Sequence, residues 1–360
     1  MFYGLYSGKR ILITGNTGFK GSWLSYWLLQ LGAEVHGYSK DIPSDPNHYE
    51  LLSLKVNTLF EDVLDFTALN SAIEELQPDI IFHLAAQPLV RTSYESPLLT
   101  FKTNIIGTAN VLEAVRNTKG VRALVNITTD KVYENKEREE PYKEDDALGG
   151  YDPYSASKAG SEIVTASYRQ AFNNPKSYGL DHETLIATAR SGNVIGGGDW
   201  AVDRLIPDIV KAASKNELVS IRNPQATRPW QHVLEPLSGY LLLGAELLNG
   251  NTKAASSWNF GPSNEETSVK KVLLDCKKQW PQIYYEIDED KHHHEAQRLQ
   301  LDSSKAMKKL QWNNVWSYDD SISKTIDWYR QYYEHKTVIT DKQLAEYVES
   351  AQKKELSWTL

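Results

Sequence analysis

The sequence predicts an α/β protein, a Rossmann-type doubly wound parallel sheet with a smaller C-terminal α/β lobe, and three observations predict it. An apolar run at 9–14 (KRILIT) leads through the glycine-rich turn Gly15-Asn16-Thr17-Gly18-Phe19-Lys20-Gly21 into apolar helical periodicity over 23–31. Residues 79–86 (DIIFHLAA) are almost continuously apolar, as in a parallel strand covered on both faces. Short strand-like runs at 34–38, 123–127 and 185–189 are separated by helical patterns at 101–116 and 155–172.

The whole chain sets limits. Its 360 residues suffice for a large domain with an appended lobe. A net charge of −8 argues against general nucleic-acid binding, which needs clustered Lys and Arg, so an anionic small ligand requires local basic groups. A single cysteine, Cys276, excludes an internal disulfide framework and suits a reducing cytoplasm. Neither a signal peptide nor a membrane span is readable. The expected division is a dinucleotide-binding domain at 1–187 with returning segments near 231–258, a substrate-binding lobe mainly at 188–333, and a helical tail at 334–360.

Taken in order, the 15–21 turn has the spacing GxxGxxG between strand and helix. Glycines allow a tight turn and close approach of backbone to a pyrophosphate, and the helix N-terminus offers free N–H groups and partial positive charge. At the end of the second strand the chain reads Tyr38-Ser39-Lys40-Asp41, where an acid for the ribose hydroxyl comes late and a lysine intrudes. That leaves NAD and NADP both open. Asp62, before Val63, ends the next short strand and is readable equally as an adenine contact or a turn carboxylate. Ala85 and Ala86 let a cofactor approach the backbone, Gln87 opens the following loop, and Asn104 lies in the 101–116 helix. His83 reads as a satisfied core histidine.

The 123–127 strand delivers Thr129, Asp130 and Lys131 to the same sheet edge as Tyr154-Ser155-Ala156-Ser157-Lys158. Tyr154 and Lys158 share a helical face, and an ammonium beside a phenol favours the phenolate, a base for an alcohol proton. The 101–116 and 155–172 helices can pair across a twofold axis as a four-helix bundle, so a homodimer is expected.

Beyond residue 189 come loops rich in Gly, Pro, Trp and Arg, which suit a diphosphate and a stacked base. His292-His293-His294 resembles a metal cluster, but neighbours in sequence point apart and no second cluster has ligand spacing, so no metal is expected. The tail from Thr340 to Leu360 reads as a solvated helix.

The 15–21 loop, Thr129, Tyr154 with Lys158, and the string at 190–196 (RSGNVIG) together resemble the extended short-chain dehydrogenase/reductase superfamily of sugar-nucleotide enzymes, over residues 8–330. Within it, the strings at 14–24, 129–135, 192–200 and 222–233 are similar to those of dehydratases acting on CDP-glucose. Two positions depart from that group: Asn16 stands where histidine is more usual, and Ser39 where an acid is customary. The resemblance implies NAD as cofactor, held by the 15–21 loop, Ser39, Asp62 and Val63 on one side and by Ala85, Gln87, Asn104, Tyr154 and Lys158 on the other. It implies that Tyr154 takes the C4 hydroxyl proton of a hexose, that Lys158 lowers the phenol's pKa and holds the nicotinamide ribose, and that Thr129 bonds near the C4 oxygen. Water then leaves across C5 and C6. The related dTDP-glucose enzymes carry Asp-Glu where this chain has Asp130-Lys131, which makes Lys131 the expected C5 base and Asp130 the proton donor to the departing hydroxyl. For the nucleotide, Asn193, Arg228 and Arg298 are the expected diphosphate and ribose contacts, Leu205 and Pro207 line the base, and Glu295 accepts from a sugar hydroxyl. A nucleotide-sugar 4-epimerase shares the Tyr-Lys pair but needs no acid/base couple after Thr129. A silent dinucleotide-binding regulator would not need the intact Thr129, Tyr154 and Lys158.

Overall fold

The computed structural model describes residues 1–262, 267–288 and 298–360. Strands β1 (Arg10–Thr14), β2 (Glu34–Ser39), β3 (Asn57–Phe60), β4 (Ile80–His83), β5 (Ala123–Ile127) and β6 (Leu185–Arg190) form one sheet with a seventh, Ser257–Asn259. Every pairing is parallel, in the order Ser257–Asn259, β6, β5, β4, β1, β2, β3. The order reverses between β1 and β4, which opens a crevice at their carboxyl ends. Burial follows the pattern expected of helices on both faces: β4, β5 and β6 are buried throughout, whereas β3, at the edge, is largely exposed.

The apolar run at 79–86 forms a strand only to His83. Leu84 N–H still bonds the Thr14 carbonyl (3.0 Å), and Ala85 N–H bonds the Thr14 hydroxyl (3.2 Å), drawing this segment over the first turn. The helical pattern at 101–116 is interrupted: helix Pro97–Phe101 passes through a π-turn, Lys102–Ile106, into helix Gly107–Asn117. Helix Pro153–Ala171 starts where the sequence offers both a cap and a stop for extension. The Asp152 carboxylate accepts from Ser155 N–H (2.9 Å) and Ser155 Oγ (2.7 Å), and Pro153 occupies the first turn.

Beyond β6 the chain makes three small two-stranded pairs, Val194–Ile195 with Gln231–His232, Thr227–Arg228 with Thr267–Ser268, and Leu218–Ile221 with Tyr284–Ile287. Helix Leu234–Leu248 is almost wholly buried and returns the chain to the sheet. The tryptophans of this region do not wait for a base. All ten in the chain are at most 9 % exposed, and Trp200 lies against Trp328, Tyr329 and Tyr332 and donates to Tyr333 Oη (2.9 Å). These contacts hold the 318–335 helix to the loop of Trp200, a use of large apolar area that needs no ligand.

The tail also differs from its expectation as a solvated helix. Helix Thr340–Lys353 buries Leu344, Tyr347 and Ala351, and Trp358 beyond it stacks on Phe2 at 5.2 Å. An amphipathic face hidden by many Lys and Glu is easily read as polar all round. Among the described residues, no helix is long and apolar enough to cross a membrane.

Glu235, fully buried in helix Leu234–Leu248, accepts from the backbone of Val315 (3.0 Å) and Trp316 (2.7 Å) and so pins the approach to the last helices. Burial pushes its carboxyl up to about 7 despite those bonds. The folded state therefore holds the proton more tightly than the unfolded chain, and the stability due to this group is complete below the ordinary carboxyl range and lost as pH rises through 7. Replacing Glu235 by Gln is expected to flatten that part of a urea-midpoint-against-pH profile. Glu235→Ala, which strands two buried N–H groups, is expected to cost roughly 2–4 kcal/mol at acidic pH and less as pH rises through 7.

Candidate active site

The site lies at the crevice between β1 and β4. Gly15 has φ +75°, and a Cβ there would stand 2.8 Å from Ala85 N, while one on Gly21 would collide with the Gly15 carbonyl. The turn is therefore closed down against the Ala85 backbone in a way only glycine permits. Helix Phe19–Gln30 begins at Gly18 with no side-chain cap, leaving first-turn N–H groups for an anion.

Across the crevice, Thr129 caps a short turn, Asp130–Val132, and donates to Asp130 Oδ1 (2.9 Å). Asp130 is 2 % exposed, and its Oδ2 has no hydrogen-bond partner among the described residues. Burial raises its pKa, opposed by the charge of Lys131, the Thr129 bond and the charges of Arg228 and Lys20. A buried carboxyl with one empty oxygen is suited to carry a proton. Lys131 follows it, half-buried.

Tyr154 lies in the first turn of helix Pro153–Ala171 with Lys158 one turn on, both buried. Lys158 Nζ donates to the Ile127 carbonyl (3.1 Å) at the end of β5, and burial lowers it to about 8, with Glu162 acting the other way. Tyr154 does not behave as the sequence suggested. Burial pushes its phenol up to about 12, and what opposes this is the Thr129 hydroxyl and then the charge of Arg204, which is held by Asp199 (2.9 Å). In the protein alone, desolvation outweighs the neighbouring cations.

One turn beyond Lys158, Glu162 is buried with Arg190 in a two-pronged ion pair, Nε to Oε1 and Nη2 to Oε2, each 2.9 Å. Glu162 also accepts from Thr128 (2.5 Å) and Thr188 (2.7 Å), and Arg190 donates to Tyr133 Oη (2.8 Å). The helix of Tyr154 and Lys158 is thereby fastened to the ends of β5 and β6.

The family model described as GDP-mannose 4,6 dehydratase matches residues 12–325. The chain belongs to the GDP-mannose 4,6 dehydratase family. Among its relatives, a CDP-glucose 4,6-dehydratase of Salmonella typhimurium is 43% identical over 351 residues, 95% of this chain and 97% of that protein. A dTDP-glucose 4,6-dehydratase of Escherichia coli is 26% identical over 89% of this chain and 92% of its own length. An epimerase from Methanothermobacter thermautotrophicus superposes with a TM-score of 0.80 at 23% identity, covering 95% of this chain and 96% of that one. A dTDP-glucose 4,6-dehydratase from Streptomyces venezuelae, solved with NAD and TYD, gives 0.75 at 23% identity, covering 89% and 97%. The two structural likenesses establish the shared fold.

Several residues singled out in this family member's sequence sit in the crevice but serve one another. Asn16 is fully buried, donating to Thr58 Oγ1 (2.8 Å) and accepting from Ser39 Oγ (2.7 Å), so its side chain braces β2 and β3. Thr17 bonds the Asp41 carbonyl (2.7 Å). Asp62 accepts from Leu64 N–H (3.0 Å) and pairs with Lys40 (3.1 Å), which joins the late acid's neighbour to the turn carboxylate. Val63 is buried beneath Gly107, and Phe19 lies near Gly196. Asn104, in the π-turn, accepts from Gln87 N–H (2.8 Å) and donates to Ser157 (2.8 Å), linking the β4 loop to the helix of Tyr154 and Lys158. His83 bonds Thr14 (2.7 Å) and Thr108 (3.1 Å), and burial lowers it to about 3, as a neutral core histidine.

In the lobe, Asn193 accepts from Gln231 N–H (3.1 Å), and Leu205 and Pro207 open helix Leu205–Lys215. Arg228 is buried close enough to Asp130 to act on its charge, and Arg298 receives Asn135 at its carbonyl (3.0 Å). Glu295 and His292, His293 and His294 lie outside the described residues. The reading of the sequence gave no site role to Glu162 or Arg190, and took Arg204 only as one of the loop arginines suited to a diphosphate. Glu162 was legible in principle, since Tyr154, Lys158 and Glu162 fall on one helical face at four-residue steps; Arg204 was not, because only the fold brings its loop to Tyr154.

Arg190→Met leaves Glu162 charged, buried and unpaired, and is expected to lose roughly 3–5 kcal/mol in urea unfolding. The double substitution Glu162→Gln/Arg190→Met is expected to lose less than Arg190→Met alone, and comparison of the single and double variants checks it.

Proposed function

We propose that this protein is an NAD-dependent nucleotide-sugar 4,6-dehydratase converting CDP-glucose to CDP-4-keto-6-deoxyglucose and water. The observation that carries the reading is the convergence of Thr129, Tyr154 and Lys158 with a buried, half-unpartnered Asp130, in a member of a 4,6-dehydratase family that is 43% identical to a CDP-glucose 4,6-dehydratase.

The Gly15–Ala85 approach and the uncapped helix start fit a dinucleotide pyrophosphate, which cannot come near a backbone screened by Cβ atoms. NAD held there supplies a hydride acceptor for C4 and, later, a hydride donor for C6. Tyr154 takes the C4 hydroxyl proton, Thr129 holds the oxygen, and Lys158 with Arg204 supplies the positive charge that favours phenolate. The resulting ketone acidifies C5–H. Lys131 then takes the C5 proton, the C–H electron pair becomes the C5–C6 double bond, and the C6 hydroxyl departs as water with the proton of Asp130. Lys131 returns a proton to C5, and the proton first taken by Tyr154 balances the one Asp130 gave up.

The chain is further proposed to be a cytoplasmic homodimer. Leu99 and Ile106 on one helical segment and Ile163 and Phe172 on the other are exposed, an apolar surface suited to a four-helix bundle with a second copy. Ile106→Glu with Ile163→Glu is expected to halve the mass in sedimentation.

Incubation with CDP-, dTDP-, GDP- and UDP-glucose is expected to give a 4-ketosugar, seen by its alkaline absorbance, from CDP-glucose foremost. A C4 epimer without ketosugar would sink the reading. Tyr154→Phe is expected to lose about 10²–10⁴-fold in rate. Lys131→Ala is expected to abolish solvent deuterium entry at C5, and exchange at the parental rate would remove Lys131 from its role.

A further inference from the structure

Lys20 belongs to the glycine-rich turn, yet its ammonium does not stay with the turn. Nζ reaches across the crevice to Ser191 Oγ (2.8 Å) and Tyr240 Oη (3.3 Å), and these two hydroxyls bond each other (2.6 Å). Ser191 is equally a neighbour of Asp130, whose N–H donates to the Ser191 carbonyl (3.1 Å). The next residue, Gly192, packs so closely on the carboxyl that a Cβ would stand 2.7 Å from Asp130 Oδ2, the oxygen without a partner. Consecutive residues of one strand end thus hold the lysine and face the carboxyl.

Resting on the dehydratase reading, we propose that Lys20 is a positioning residue for the elimination: its ammonium, moored by Tyr240 and by Ser191, whose carbonyl accepts from Asp130 N–H, keeps that carboxyl a strong enough acid to protonate the departing C6 hydroxyl. The groups facing the pair define the electrostatics. Lys20, Arg228 and, once it has taken the C5 proton, Lys131 stabilise the Asp130 carboxylate, as does the Thr129 bond, against the burial that favours the acid form. Lys20 is in turn drawn down to about 7 by burial and by the charges of Arg204 and Lys158, with Asp130 holding it up. Tyr240 and Tyr154 complete the wall. Without a cation at position 20, Asp130 would keep its proton to higher pH and give it up less readily, a weaker general acid.

The test is infrared titration of the Asp130 carboxyl, assigned with Asp130→Asn, in the wild type, Lys20→Met and Lys20→Arg, beside the pH profile of ketosugar formation at saturating NAD. Lys20→Met is expected to move the carboxyl titration and the alkaline limb of the profile to higher pH, and to slow dehydration roughly tenfold. Lys20→Arg, which keeps the charge, is expected to restore the wild-type titration. An Asp130 titration unmoved in Lys20→Met overturns the proposal, including the case in which only NAD affinity changes. Should Lys20→Met fail to fold, Lys20→Gln gives the same readout. A wild type that makes no ketosugar defeats the dehydratase reading, whereas the infrared titration decides the Lys20–Asp130 coupling by itself.

Discussion

A guanidinium and a carboxylate withdrawn from water must find each other, and in this fold the Arg190–Glu162 pair does so where three elements meet. Arg190 ends β6, Glu162 lies on the helix of Tyr154 and Lys158, and Thr128 just past β5 completes the carboxylate's shell. Such a pair is poor evidence for extra stability, because desolvation takes back most of what attraction gives. Its geometry is its value here. It fixes the rotation of the helix that carries Tyr154 and Lys158 relative to the strand ends that carry Thr129, Asp130 and Ser191.

With that register fixed, the crevice gathers opposite tendencies in a small volume. A chain with net charge −8 places Lys20, Lys131 and Arg228 around one buried aspartic acid, with Lys158 and Arg204 near Lys20. Burial drives Lys20 and Lys158 toward neutrality and the Asp130 carboxyl and Tyr154 phenol toward their protonated forms, while each cation opposes this for its acidic neighbours. The proposed dehydration, with one proton leaving oxygen, another leaving carbon and a third going onto a departing hydroxyl, gains from groups held near the balance point. An aromatic cluster of Trp200, Trp328 and Tyr332 holds the 318–335 helix to the loop that leads to Arg204.

The sequence alone determined a good deal. Strand, glycine turn and helix at the start were legible because glycine spacing and apolar runs are local properties, and so were β5, β6 and the helix of Tyr154 and Lys158. Long strings of residues carried the family, and with it the dehydratase chemistry. Tertiary structure decided what partners each polar side chain finds. Nothing local says that Asn16 spends itself on Ser39 and Thr58, that Lys20 leaves its turn for Ser191 and Tyr240, or that the tail's Trp358 stacks on Phe2. It also decided the sign of the shift at Tyr154, since a spacing of four residues specifies a neighbour but not how much water has been removed from around it.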